Sequence, residues 1–256
     1  MKYLIGLVVL VGVIIGVMAL SSKDQVAIQG ESSSPSPSGS LEQGLLLSVQ
    51  STVELKRAGQ TSYQAVDRST SISQGDAVRT NATGRARIKW PNGTITVVEE
   101  DSEIVITTLQ DGGNKSSIQL VLGDVWAKVN RVLGTGEYYE IESDDAVAAV
   151  RGTVFRMRHR NKETSVQGIE RTVRLMRKDA QGKRQEAGAV DLPEGFVSER
   201  ILRFQQGSAS GTPIPLRRLT DAERKERIFQ RILQERDRLD ELFGSSPAPV
   251  VSPRLT

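Results

Sequence analysis

Between residues 45 and 204, apolar and polar side chains alternate with a period of two, in short runs closed by Gly, Asn or Asp. Alternation of this kind puts successive side chains on opposite faces of a strand, so the pattern restricts the segment to half-buried sheet. The clearest run places Ala86, Ile88 and Trp90 on one face and Arg85, Arg87 and Lys89 on the other. Pro91, Asn92 and Gly93 follow, and Asn-Gly supplies the positive φ angles of a tight hairpin. A returning strand is therefore expected over residues 94–98, and Ile104 and Ile106 continue the pattern. After a turn at 111–114, Ile118, Leu120 and Leu122 begin another strand. Gly123 and Asp124 are expected to break it before Val125, Ala127 and Val129. Runs of about 5–7 residues suit strands and little else. The expected fold class is all-β.

The chain contains no cysteine. Disulfides, cysteine-ligated zinc and thiol chemistry are thereby excluded, and the core must rest on apolar burial. The 34 basic and 31 acidic residues leave a net charge of only +3, which gives little reason to expect nucleic acid as a partner.

Residues 1–20 and 21–44 differ from all that follows. Residues 3–20 hold no charge, and as a helix these 18 positions span about 27 Å, close to a bilayer's hydrocarbon thickness. A membrane anchor is expected, with a cleaved signal peptide ending near Val17, Met18 and Ala19 as the rival. With Lys2 and the amino terminus on the cytoplasmic side, the bulk of the chain lies outside the cytoplasm on either reading. Residues 21–44, rich in Ser, Pro and Gly, read as a flexible tether.

Residues 205–219 read as a second linker, and residues 220–244 as an amphipathic helix. Thr220 and Glu223 form a capping box, while Gly244 is placed to end the helix. Ile228, Ile232, Leu239 and Phe243 make one apolar stripe, widened by Phe229, Leu233 and Leu242. The stripe must cover something. The expectation is that it folds back on the β domain, and the rival is a helix offered to a partner. The tail, residues 245–256, is expected to be disordered.

Three motifs in order give the chain a resemblance. Gly75-Asp76 leads into Val-Arg79-Thr80, then Gly84-x-Ala and the Asn92-Gly93-Thr turn; Gly123-x-Val-Trp126 follows, and then Val-Arg151-Gly152-Thr153-x-Phe155. This order is similar to the FecR domain family, over roughly residues 46–201. The resemblance implies a short-strand, twin-layered, β-helix-like arrangement or sandwich, and an envelope or signalling role. Family regulators carry a cytoplasmic segment that binds a sigma factor and an outer subdomain that meets a transporter. Here only Met1 and Lys2 are expected inside, and one helix with a tail stands at the outer end. The family's Asp-Gly-Thr turn is Asn92-Gly93-Thr94 in this chain, which serves equally.

Within residues 146–157, Arg151-Gly152 reads as a bend between two strands, Gly152 supplying backbone freedom. Arg151 is expected to be structural, its guanidinium tying carbonyls or a carboxylate such as Asp76 or Asp124; the rival is an arginine that binds an anionic sugar or peptide carboxylate. Arg156, Arg158 and Arg160 alternate on one face, followed by Arg171, Arg174 and Arg177. Such a stripe could meet acidic glycan or anionic headgroups, although a plain solvated face is the blander reading.

Catalytic patterns are sparse. The single histidine, His159, lies among arginines and reads as an exposed strand residue. The carboxylates at 99–101 and 144–145 could hold calcium or act as an acid/base pair, but neighbours on a strand point apart, so solvated turns are expected. No enzyme, metal or cofactor is expected. The sequence thus reads as a membrane-anchored, extracytoplasmic FecR-type protein that binds or scaffolds at the cell envelope, its partner an envelope protein or acidic glycan. The alternative is a shortened transmembrane signal transducer acting through another envelope protein; a glycan hydrolase carries the least support.

Overall fold

The computed structural model describes residues 43–50, 52–130, 136–198, 200–202 and 211–243, all within the second of two compact units of the chain. The expected anchor and tail, the tether up to residue 42 and residues 205–210 of the second linker lie outside the described residues; Gly44, the last residue of the expected tether, already belongs to the first strand.

The regular structure of the described chain is mostly strand. The first eight are β1 Gly44–Gln50, β2 Val53–Lys56, β3 Gln64–Ala65, β4 Thr70–Ile72, β5 Ala77–Thr80, β6 Arg85–Lys89, β7 Ile95–Val98 and β8 Glu103–Gln110. The long β9, Lys115–Lys128, stands at the centre. Beyond it come β10 Tyr138–Glu142, β11 Ala146–Val150, β12 Val154–Arg160, β13 Glu163–Glu170, β14 Val173–Lys178, β15 Arg184–Leu192, β16 Phe196–Ser198 and β17 Leu216–Arg218. Two helices close the chain, α1 Asp221–Lys225 and α2 Arg227–Phe243.

Pairing resolves these strands into two sheets that share β9. The front sheet runs β4-β1-β6-β7-β9-β12-β13-β16-β17. The back sheet runs β3-β2-β5-β8-β9-β10-β11-β14-β15. Every pair is antiparallel except β9 with β10. The first half of β9 lies between β8 and β10, and its second half between β7 and β12. The strand changes sheets at Gly123 (φ 103°), where a Cβ would lie 2.1 Å from the Ser102 hydroxyl. The expected strand break at Gly123-Asp124 is thus a corner: the backbone turns without leaving the ladder, as a positive-φ glycine permits.

Period-two alternation builds one core between the sheets. Leu46, Ile88, Val98, Val125, Phe155 and Met157 from the front face Val53, Val78, Ile104, Ile118, Ile141 and Leu175 from the back. The opposite register of the front sheet, Ile95, Val97, Trp126, Val154, Ile169 and Val197, carries a second apolar cluster on its outer face. Phe229, Ile232 and Leu239 of α2 cover it, with Leu219 beneath the helix start. Burying each of these side chains contributes about 1.5–3 kcal/mol.

The C-terminal stretch departs from the expected single helix. Thr220 caps it and the capping box with Glu223 is formed, but Glu226 adopts an extended conformation (φ −55°, ψ 138°) that separates α1 from α2. The 205–219 linker is also shorter than expected, because β17 adds to the front sheet and Leu219 is buried. The apolar stripe is spent on the chain's own domain through Phe229, Ile232 and Leu239, with Ile228 and Leu233 partly buried. The side chain of Phe243 lies outside the described residues.

Candidate functional site

Most of the family-motif residues shape backbone. Gly75 takes φ 87°, and Asp76, 2% exposed, accepts from the amides of Ala58 (2.9 Å) and Ser73 (3.0 Å) and from Arg57 (2.9 Å). Arg79 pairs with Glu54 and lies over the Tyr63 ring at 4.0 Å. The Thr80 hydroxyl donates to the Glu99 carbonyl (2.6 Å), and the amide of Gly84 closes the β5–β6 turn on Asn81. Asn92 accepts from the Thr94 amide and donates to the Gly113 carbonyl, with Gly93 at φ 81°. Gly152 (φ 79°) makes the bend between β11 and β12; Thr153 donates to the Glu170 carbonyl, and Phe155 is fully buried.

Arg151 departs from its expected role. It is exposed at the bend, while Asp76 is held by Arg57 and Asp124 by Arg156. The reason is register: Arg156, two residues past the bulge at the start of β12, stands opposite Trp126 on the outer face, beside Asp124.

That outer face carries two buried ion clusters beneath the helices. Glu99, 1% exposed, accepts from Arg85 Nη2 (3.0 Å), Arg231 (2.7 Å) and the Trp126 indole (3.0 Å). Arg85 also pairs with Glu235 of α2, and its neighbour Arg87 with the same carboxylate at 3.2 Å. Arg231 further reaches Glu100 at 3.1 Å. In the second cluster Asp124 Oδ1 accepts from Arg156 Nε (2.9 Å) and Nη2 (2.6 Å). The remaining nitrogen of Arg156 meets Glu226 at 2.9 Å. The break at Glu226 therefore places a carboxylate over the buried guanidinium, and the helix is fixed by charge at its start and, through Arg231 and Glu235, along its first half, as well as by its apolar stripe.

Two expectations are corrected by these placements. The 99–101 carboxylates are not all solvated, since Glu99 is buried in ion pairs, and Asp145 of the 144–145 pair is 5% exposed. His159 is 6% exposed rather than on the surface, its Nδ1 2.8 Å from the Thr164 hydroxyl and 3.5 Å from Asp145. It shares the inward face of β12 with Phe155 and Met157, which the period of two dictates.

The arginine stripe is divided. Arg156 is buried, Arg158 is half exposed and Arg160 is 31% exposed. All three lean on one carboxylate: Asp124 lies 2.6 Å from Arg156, 3.9 Å from Arg158 and 3.6 Å from Arg160. Beside them, between β12, β13, β16 and the α1 segment, opens a cleft of about 520 Å3. Arg177 of the second triplet completes its basic wall with Arg200 and Arg217, two residues that sequence spacing did not group with the stripe. Of the second arginine triplet, Arg171 donates to the Gly152 carbonyl and Arg174 pairs with Asp191, so only Arg177 reaches the cleft. Burial pushes the Arg177 pKa below the usual arginine value. Glu223 at the rim is held down to about 2, chiefly by Arg217 and also by Thr220. Among the described residues no cluster of His, Asp and Glu suits a metal ion.

Residues 76–174 match the family described as FecR protein. Two crystal structures of a "putative anti-sigma factor" from Parabacteroides distasonis ATCC 8503 align with this chain at 12% identity and a TM-score of 0.40, covering 58% of this chain and 61% of theirs. The chain thus spans less than two thirds of the length of that protein. No curated protein matches it.

Proposed function

We propose that this chain, which carries a FecR domain over residues 76–174, is a membrane-tethered binding module of the cell envelope that works by contact rather than by catalysis. The observation that carries the reading is the use made of buried charge. Glu99 is engaged by guanidinium groups and an indole N–H, and Asp124 by the Arg156 guanidinium, so both buried carboxylates serve to hold this face together. Such pairs fix a surface; they do not turn over a substrate. The uncharged residues 3–20 support a tether with the bulk outside the cytoplasm. Among the described residues no helix is long and apolar enough to cross a membrane.

A second reading, a signal transducer acting through another envelope protein, is favoured by the FecR match itself. Both can be tested on a chain that has no native thiol. Lys183, exposed in the β14–β15 turn, is replaced by cysteine and spheroplasts are treated with a membrane-impermeant maleimide. Labelling of intact spheroplasts is expected, and labelling only after permeabilisation overturns the envelope placement. A benzophenone maleimide at Gln234→Cys, on the exposed side of α2, then reports neighbours. A discrete protein adduct supports the transducer reading, and its absence removes it.

A further inference from the structure

The cleft beside β12 has the charge and shape of a ligand site. Five arginines face two glutamates across it, and both glutamates are already engaged, Glu223 by Arg217 at 2.7 Å and Glu226 by Arg156 at 2.9 Å. Asp124 is shared by Arg156, Arg158 and Arg160, and with Glu226 on Arg156 two carboxylates serve three guanidinium groups along the strand, while Glu163 pairs with Arg200 at 3.0 Å. A second cleft of about 280 Å3 adjoins the first, sharing Arg158, Ser165 and Arg200 and extending to Arg160. The two form one basic trough. Along β12, residues i and i+2 recur every 6–7 Å or so, which sets the spacing of the arginines and of the anions that would meet them.

The trough's chemistry narrows the ligand. Arg156 is held rigidly by two bonds to Asp124, so little rotamer freedom remains to be lost on binding. Ser165 offers a hydroxyl, that of Ser198 being taken by the Val166 backbone, and the apolar wall is limited to Val197, Leu202 and Pro215. No aromatic ring is among the lining residues, so bases or aromatic rings would find no stacking platform. Guanidinium forks in a row, with the Ser165 hydroxyl among them, suit a chain of hydroxylated units that carries an oxyanion at regular intervals.

We propose that the trough formed by Arg156, Arg158, Arg160, Arg177 and Arg200 binds an acidic saccharide chain through its carboxylate or phosphate groups. This goes beyond the envelope-module reading and does not rest on it, because it is tested on purified protein while that reading is tested on cells.

The full 256-residue protein in nonionic detergent is titrated with short oligogalacturonate, with a phosphomannan oligosaccharide and with oligoglutamate, by calorimetry. Saturable binding of one saccharide is expected, weakening as NaCl rises from about 0.05 M to about 0.5 M. The carboxylate and phosphate arms identify the anion. Arg158→Ala/Arg200→Ala removes two side chains that are 51% and 74% exposed, and should weaken binding by about tenfold or more with the unfolding temperature unchanged. Arg68→Ala/Arg238→Ala removes the same charge from exposed positions outside the trough and should leave binding within about twofold. Equal losses in the two double variants would reduce the effect to net charge and overturn the proposal. So would tighter binding of oligoglutamate, or no binding of either saccharide at millimolar concentration.

Discussion

Glu99 is buried within the front sheet's outer face and accepts from Arg85, Trp126 and Arg231. Glu99→Gln leaves those guanidiniums facing a neutral amide, and breaking a buried pair of this kind costs about 3–5 kcal/mol. Urea unfolding should register a loss of that size, whereas a loss below about 1 kcal/mol would mean that the cluster is solvated. Gly123 is as constrained for a different reason. An added methyl group meets Ser102 and the backbone sits at φ 103°, so Gly123→Ala should destabilise by more than about 1 kcal/mol in the same assay. Glu223 sets a pH dependence. Its carboxyl is depressed to about 2 in the folded chain, so the stability it contributes is present above the ordinary Glu value and is lost as pH falls through about 2. Acid titration of wild type should therefore keep the contribution of the α1 cap at about pH 6 and lose it progressively between about pH 5 and pH 2. Glu223→Gln should remove this part of the dependence, and an unchanged acid profile in that variant would count against the Arg217 contact.

At the scale of elements, α2 is the wall that closes the outer face of the front sheet. Ile232 is fully buried there, and Ile232→Ala should cost about 2–5 kcal/mol in urea unfolding. A chain ending at Gly211 should expose Ile95, Val97 and Trp126, and bind an apolar dye that the full chain excludes. Much of this element was legible in the sequence: the Thr220–Glu223 cap and the Ile232–Leu239 stripe are local patterns, and local patterns survive folding. The break at Glu226 and the pairs Arg85–Glu235 and Arg156–Glu226 were not, because they join residues 70 to 150 positions apart whose meeting depends on where the helix crosses the sheet. A trace of them was present. Glu99 and Asp124 are acidic residues set inside apolar strand patterns, and a carboxylate in such a place calls for a buried cation.

At the scale of the whole molecule, two sheets joined through β9 enclose one core, and α2 seals a second. The period-two runs were enough to foresee strands at β6, β7 and β12 and the hairpin at Asn92-Gly93, since side-chain alternation is fixed by backbone geometry alone. Which sheet each strand joins was not foreseeable from alternation, because Gly123 lets a single strand serve both. His159 and Arg156 illustrate the same limit: the period placed them on opposite faces of β12, but only the second layer and the helix decide that both faces are covered. If α2 is an integral wall, the chain's binding surface is the trough beside it and not the helix stripe. Hydrogen exchange of the full-length protein, resolved by fragment, tests this most directly. Amides of α2 around Ile232 should exchange with the same opening free energy as those of β7 and the second half of β9; exchange of α2 several orders of magnitude faster than those strands would show a helix that detaches on its own, and would contradict it.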